Sequence, residues 1–319
     1  MKRFFKVLLL VLLTAIGLLI LENYPANSQP KSFERISDTS IIKRCLRLIV
    51  NTPKPRYIGN VDMLDTVGNR IKNELLQHTS EVSFQTFMIN NTEFKNIVAS
   101  FGPENAQRII VGAHYDVCRE QDGADDNASG VAGILELARL LKEKPLKYRI
   151  DLVAYSTEEL PYFNTKNMGS YVHAKSLYDS KVPVFGMISL EMIGYYSDEE
   201  NSQRYPVGAL KWINGNKGNF ITIVQKTFSG RFARQYKKLA FRNNSIKTKS
   251  FKAPSFFGGI NLSDHSNYWR FGYSAIMITN TSFYRNHNYH KTSDRIETLD
   301  VGRMALTIDG VYRTLLAFN

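Results

Sequence analysis

Cysteine is nearly absent: Cys45 and Cys118 are the only two in 319 residues. Two thiols cannot build a disulfide framework or a Cys-based zinc site, and the sequence leaves open whether they pair. No lipidation cysteine follows the N-terminal apolar run. Arginine-rich runs are missing as well. The net charge is +12, but Lys and Arg are scattered, which disfavours a nucleic-acid partner and leaves membrane headgroups or other anions as what the charge attracts. No internal repeat is found.

The long apolar run is VLLLVLLTAIGLLIL at 7–21, behind Lys2, Arg3 and Lys6. It is long for a signal-peptide core and short for a membrane span. Ala26-Asn27-Ser28 offers a small-x-small cleavage site, whereas Phe4 and Phe5 lengthen the run toward an uncleaved anchor. Residues 1–28 are therefore expected to be a signal peptide or an anchor, with membrane association through residues 4–21. Either places the body outside the cytoplasm, periplasmic or secreted. Residues 29–39, polar with Pro30, are expected to be a linker, and residues 40–319 one domain. Hydrophobic content of 43% suits a globular core.

Apolar spacing predicts helices over 40–49, 61–77, 131–144, 170–177 and 300–318, and two more over 220–227 and 232–241. Strands are expected at 82–89, 94–101, 108–113, 148–155, 184–190 and 274–280. Residues 251–262, rich in aromatics and glycine, are expected to be loop. Alternating strand and helix predicts an α/β fold with a mixed, mainly parallel central sheet and helices on both faces.

The stretch HYDVCREQDGADDNASG at 114–130 follows the apolar strand RIIVGA and leads into a helix. Open α/β sheets build sites at such strand ends. His114, Asp116, Asp122, Asp125 and Asp126 crowd thirteen residues and repel unless a cation sits among them. A solvated acidic loop is the bland alternative for this stretch alone. However, the next strand ends in Glu158-Glu159 and the one after in Glu191. In a parallel sheet these ends lie side by side, so acids distant in sequence converge.

Taken in order, HYD at 114–116, GADDNASG at 123–130, TEEL at 157–160, LEMIGYY at 190–196, SDH at 263–265 and NYHKTSD at 288–294 resemble the M28 zinc aminopeptidases, over roughly residue 55 to the C-terminus. The resemblance implies a zinc-dependent exopeptidase-like fold and two zinc ions bridged by Asp126. Glu159 and His290 would complete one site, His114 and Glu191 the other. Glu158 would be the general base and Tyr289 a donor to the oxyanion. Asp116 would orient His114, and His265 would sit behind the ligands. Secreted family members commonly carry Asp where this chain has Glu191, which bears on the geometry of the His114 site. Asn127 stands where some relatives have a second Asp. Cys118 is read as incidental, His78 and His287 as surface, and His173 as structural. Tyr195, Tyr196, Phe256, Phe257 and Tyr284 could line a side-chain pocket or belong to the core.

The expected activity is removal of N-terminal residues from a peptide substrate. The competing readings are a glutaminyl cyclase on the same scaffold, or a binding ectodomain that has lost catalysis. The second fits poorly because no ligand is missing. The preferred N-terminal residue, the choice among amino-, di- and carboxypeptidase, and the oligomeric state are not legible.

Overall fold

The computed structural model describes residues 4–7, 26–206, 208 and 210–319. Residues 8–21 of the apolar run lie outside the described residues. No described helix is long and apolar enough to cross a membrane.

Nine strands form one sheet. In chain order they are β1 (Asn27–Ser28), β2 (Val82–Ile89), β3 (Thr92–Phe101), β4 (Arg108–His114), β5 (Arg149–Tyr155), β6 (Val184–Glu191), β7 (Ile221–Lys226), β8 (Thr248–Ala253) and β9 (Ala275–Thr279). Their spatial order is β1-β8-β7-β9-β6-β4-β5-β3-β2. The centre is parallel: β5, β4, β6 and β9 run together. The edges are not. The β2–β3 hairpin joins β5 antiparallel, turning through Asn90 and Asn91 at φ 47 and 65, the left-handed values that a two-residue hairpin turn uses. At the other side β7 runs antiparallel to β9, and β8 runs parallel to β7. Parallel and antiparallel pairings are thus balanced, so the sheet is mixed, with a parallel core and one further parallel pair, β7–β8.

Helices cover both faces. On one lie α1 (Thr39–Val50), α2 (Val61–Leu75), α3 (Gly130–Leu141), α6 (Gly230–Asn243) and α8 (Val301–Leu316); on the other lie α4 (Gly169–Asp179) and α7 (His265–Arg270). A short α5 (Leu210–Asn214) lies between β6 and β7 in the chain. The alternation of strand side chains divides the core: Ile109 and Val111 of β4 face the first layer and Ile110 the second. Gly130 lets α3 sit against β6, because a Cβ there would lie 2.5 Å from the Leu190 carbonyl oxygen.

Two expectations fail on the β7–β8 side. Residues 220–227 form strand β7, not a helix. The segment ITIVQK is β-branched and four of its first five residues are apolar or Thr, so a short buried run is ambiguous in period and its branching decides for strand. Part of the expected loop 251–262 is the end of β8. The segment expected to link is docked: the Lys31 amide donates to the Asn244 carbonyl, and the Ile36 and Ser37 amides donate to Asp309.

Candidate metal centre

Parallel strands β4, β5 and β6 end together, and their last residues or next loops carry the acids and His114. Asp126 follows in a short irregular helical turn, Ala124–Ser129, entered through Gly123 in the left-handed region at φ 58. His290 comes from the loop after β9.

Asp126 is central. Its Oδ1 lies 3.4 Å from His114 Nε2, and its Oδ2 lies 3.2 Å from His290 Nε2. Each histidine has its own glutamate. Glu191 Oε2 is 3.6 Å from His114 Nε2, and Glu159 Oε1 is 3.2 Å from His290 Nε2. Glu158 Oε2 is 3.9 Å from His114 Nε2. His114, Asp126 and Glu191 each offer a ligand atom within 4.8 Å of the others, as do Glu159, His290 and Cys118. All five residues expected as ligands are thus brought together.

The electrostatics asks for cations. Asp126, Glu158, Glu159 and Glu191 are all buried. Asp126 Oδ2 and Glu159 Oε1 are sealed from solvent; both face His290 Nε2 at 3.2 Å, and neither accepts a well-aligned hydrogen bond among the described residues. Buried carboxylate oxygens without a partner are costly, and an imidazole–carboxylate donor set is one that zinc takes. Burial pushes the Glu158 carboxyl well above the usual carboxylate range, and burial with the nearby Asp126 charge pushes Glu159 up to about 7. Burial opposes protonation of His290, yet Asp126 and Glu159 push its imidazole up to about 10.

The surroundings fix these groups. Asp116 carries more than the expected contact to His114, whose Nδ1 lies 3.2 Å from the Asp116 carbonyl oxygen. Its carboxylate accepts the amides of Glu158 and Glu159 at 3.1 and 3.0 Å, so it sets the backbone from which both glutamates project. Three residues at or beside the site lie in the left-handed region: Thr157 at φ 60, Met192 at 49 and His290 at 56. A β-branched residue there is strained; Thr157 is held by Oγ1 donating to the Ser156 and Asn167 carbonyls.

Several partners had no role assigned from sequence. Asp294 accepts the amides of Asp125 and Asp126. Asp125 in turn accepts from Asn280 and Asn286 at 2.7 and 2.8 Å. Ser263 Oγ donates to Glu191 Oε2 at 2.7 Å, so the SDH stretch acts through its serine. Asn127 does more than alter charge: Nδ2 donates to the Leu190 carbonyl, and Oδ1 accepts the Gly130 and Met192 amides. Buried Arg56 ties down the carbonyls of Tyr115, Asp122 and Gly123. Asp294 and Ser263 fall within the motif segments and could have been singled out there. Arg56 carries no signal in the sequence.

Other expected residues fall elsewhere. His265 bonds the Ile260 carbonyl at 2.7 Å and packs edge-on to Trp269, and no described contact joins it to a ligand. His173 meets the Tyr268 hydroxyl at 2.6 Å, a structural pairing. Exposed His287 lies 3.4 Å from the Tyr195 hydroxyl. Tyr289 stacks on His290 with ring centroids 3.8 Å apart. Tyr284 and Tyr289 line the cavity that opens from the cluster, whereas Tyr196 is buried in the core. Cys118, read as incidental, sits beside Glu159 and His290; both cysteines are free.

An α/β fold in which acids and imidazoles converge at parallel strand ends defines the chain as an α/β protein with a candidate metal site. More narrowly, the family model for Peptidase family M28 matches residues 96–315, and the chain belongs to that family. The chain is 38% identical over 323 residues to "Uncharacterized protein YfbL" of Escherichia coli, covering 99% of each. In fold it is similar to the Legionella pneumophila LapA aminopeptidase, with TM-score 0.69, 19% identity, 88% of this chain and 72% of that one. It is also similar to the Porphyromonas gingivalis glutaminyl cyclase, with TM-score 0.68, 21% identity, 90% of this chain and 100% of that one.

Proposed function

We propose that the chain is a two-zinc aminopeptidase that hydrolyses N-terminal residues from peptides. One observation carries the reading: the two oxygens of Asp126 face different histidines, each paired with its own glutamate. His114, Asp126 and Glu191 would hold one ion, and Asp126, Glu159 and His290 the other. Such ions, when bound, supply Lewis acidity toward a peptide carbonyl and toward water.

Glu158 moves the proton. It adjoins a ligand, lines the cavity and has no ligand role. Its carboxylate takes a proton from the attacking water as the oxygen adds to the carbonyl carbon. It gives that proton to the leaving nitrogen as the C–N bond breaks. Burial holds its pKa high, which suits both duties. Tyr289, which lines the cavity and stacks on His290, would donate its hydroxyl proton as a hydrogen bond to the oxyanion. The buried acids favour the substrate's free amine. The body is proposed to work outside the cytoplasm, with residues 1–28 as signal peptide or anchor.

The test is metal analysis of the purified chain together with a panel of aminoacyl nitroanilides. Two equivalents of zinc and release of nitroaniline support the reading. Ammonia release from a Gln-initiated peptide, with no nitroaniline released, would instead favour cyclase chemistry; that second reading draws on the cyclase-like fold alone.

A further inference from the structure

The cavity that opens from the acid cluster is about 760 Å³. It is charged in opposite senses along its length. Asp126, Glu158, Glu159 and Glu191 line one end. Arg204 and Lys249 are the Lys and Arg residues among its described lining.

The sheet register shows how far apart the ends lie. Glu191 on β6 pairs with Thr279 on β9, Thr279 with Thr222 on β7, and Thr222 with Lys249 on β8. These four residues form one row across the sheet, and all four line the cavity. Three strand spacings make about 14 Å between the Cα atoms of Glu191 and Lys249. The reach of the two side chains shortens the gap between their charges. A tripeptide, at 3.3–3.6 Å per residue, spans about 10 Å.

Lys249 is an unusual lining residue. It is only 6% exposed. Its ammonium donates to the Asn214 carbonyl and lies 3.6 Å from the centre of the Phe220 ring. No carboxylate among the described residues pairs with it. Arg285, also buried, packs on the same ring at 4.6 Å, and its Nη2 has no described partner. A buried lysine without a counter-ion is costly to keep charged. Burial pushes Lys249 down to about 7, with Lys247 and Arg285 adding to the fall. An arriving anion would relieve that cost.

We infer that Lys249 is a specificity residue that receives a substrate carboxylate at the end of the cavity remote from the metal ligands. The proposal rests on the peptidase reading above and names its substrate class: short peptides whose amine meets the acids and whose carboxylate meets Lys249. The carboxylate has two possible sources, the free C-terminus of a short peptide or an acidic side chain.

The experiment measures kcat/KM for matched pairs on the metal-loaded protein. Leu-Gly-Gly against its C-terminal amide reads the free terminus. Glu-nitroanilide against Gln-nitroanilide, and Leu-Glu-Gly-amide against Leu-Gln-Gly-amide, read acidic side chains. A charge-assisted hydrogen bond predicts a preference of about 10–100-fold for the acid in one pair. The pair that shows it identifies the source. Within that pair the acid-to-neutral ratio should fall to near one in Lys249→Met and persist in Lys249→Arg. A wild-type ratio near one in every pair overturns the inference, as does a ratio that Lys249→Met leaves intact. The wild-type ratios decide even if Lys249→Met does not fold. Calorimetric binding of the same peptides to the Glu158→Gln variant keeps the two claims apart. If no substrate is cleaved, the peptidase reading fails while a carboxylate preference in binding still upholds Lys249. If Leu-nitroanilide is cleaved and no carboxylate is preferred, the Lys249 inference alone fails.

Discussion

The two ends of the cavity are built in opposite ways. At the metal end, strands β4, β5 and β6 run parallel, and the acids sit where those strands stop. The acids there are held mainly through their backbone: Asp116 accepts the amides of Glu158 and Glu159, Asp294 accepts the amide of Asp126, and Ser263 donates to the Glu191 carboxylate. At the far end, β7 and β8 run against the central strands, so the starts of these strands face the end of β6. There the lining is aromatic and aliphatic, and the buried charge is positive. The first region fixes a few atoms tightly. The second supplies shape and positive charge. Substitutions at the metal end should change kcat or metal content, and those at the far end should change which substrates are taken.

The largest effect expected from a change that spares the ligands is at Glu158. Glu158→Gln keeps the volume and cannot accept the proton. With metal content confirmed, kcat should fall by roughly 10²–10⁴ with KM little moved. Burial favours the protonated Glu158 and bound cations would favour its carboxylate; since only the carboxylate accepts a proton, the wild type should lose activity as pH falls through the Glu158 pKa, and the variant should lack that acidic limb. A variant that keeps more than about a tenth of wild-type kcat would show that another group moves the proton. Asp116→Asn comes next. An amide can accept only one of the two backbone N–H groups well, so metal affinity should drop about 10–100-fold, read by competition with a chelator. Unchanged affinity would reduce Asp116 to a filler. Ser263→Ala removes one hydrogen bond to Glu191 and should weaken metal at the His114 site several-fold, about the worth of one such bond; a loss equally large at the His290 site would break the assignment of two half-sites. The smallest effect is at Cys118→Ala, where two equivalents of zinc should remain. Loss of one equivalent would make the thiol a ligand of the Glu159–His290 site.

The same comparison explains what could be read from sequence. The metal end was legible because its chemistry needs rare residue types in order: HYD, DD, EE and E each follow an apolar strand, and their charges make sense only together. Parallel buried strands such as VFGMISL at 184–190 announce themselves by continuous apolarity. The far end gave no such cue. ITIVQK is short and apolar on both sides, so its period cannot separate strand from helix. Lys249 looks like any surface lysine until the register brings it into the Glu191 row. His265 shows the reverse error. A histidine in a motif segment drew attention, but its ring is spent on the Ile260 carbonyl, while the neighbouring Ser263 touches the ligand. Chain-distant hydrogen bonds such as Arg56 to the 115–123 loop leave no pattern to read.

Asp126 faces both histidines and is proposed as the carboxylate shared by the two half-sites; zinc content of the purified wild type and of Asp126→Asn tests that role most directly. Removing the shared charge leaves each histidine–glutamate pair short of a ligand and leaves buried groups unpaired. The wild type should carry about two equivalents per chain and Asp126→Asn close to none, with a lower melting temperature. Two equivalents retained in Asp126→Asn would contradict the bridging role and, with it, the arrangement of the site proposed for this chain.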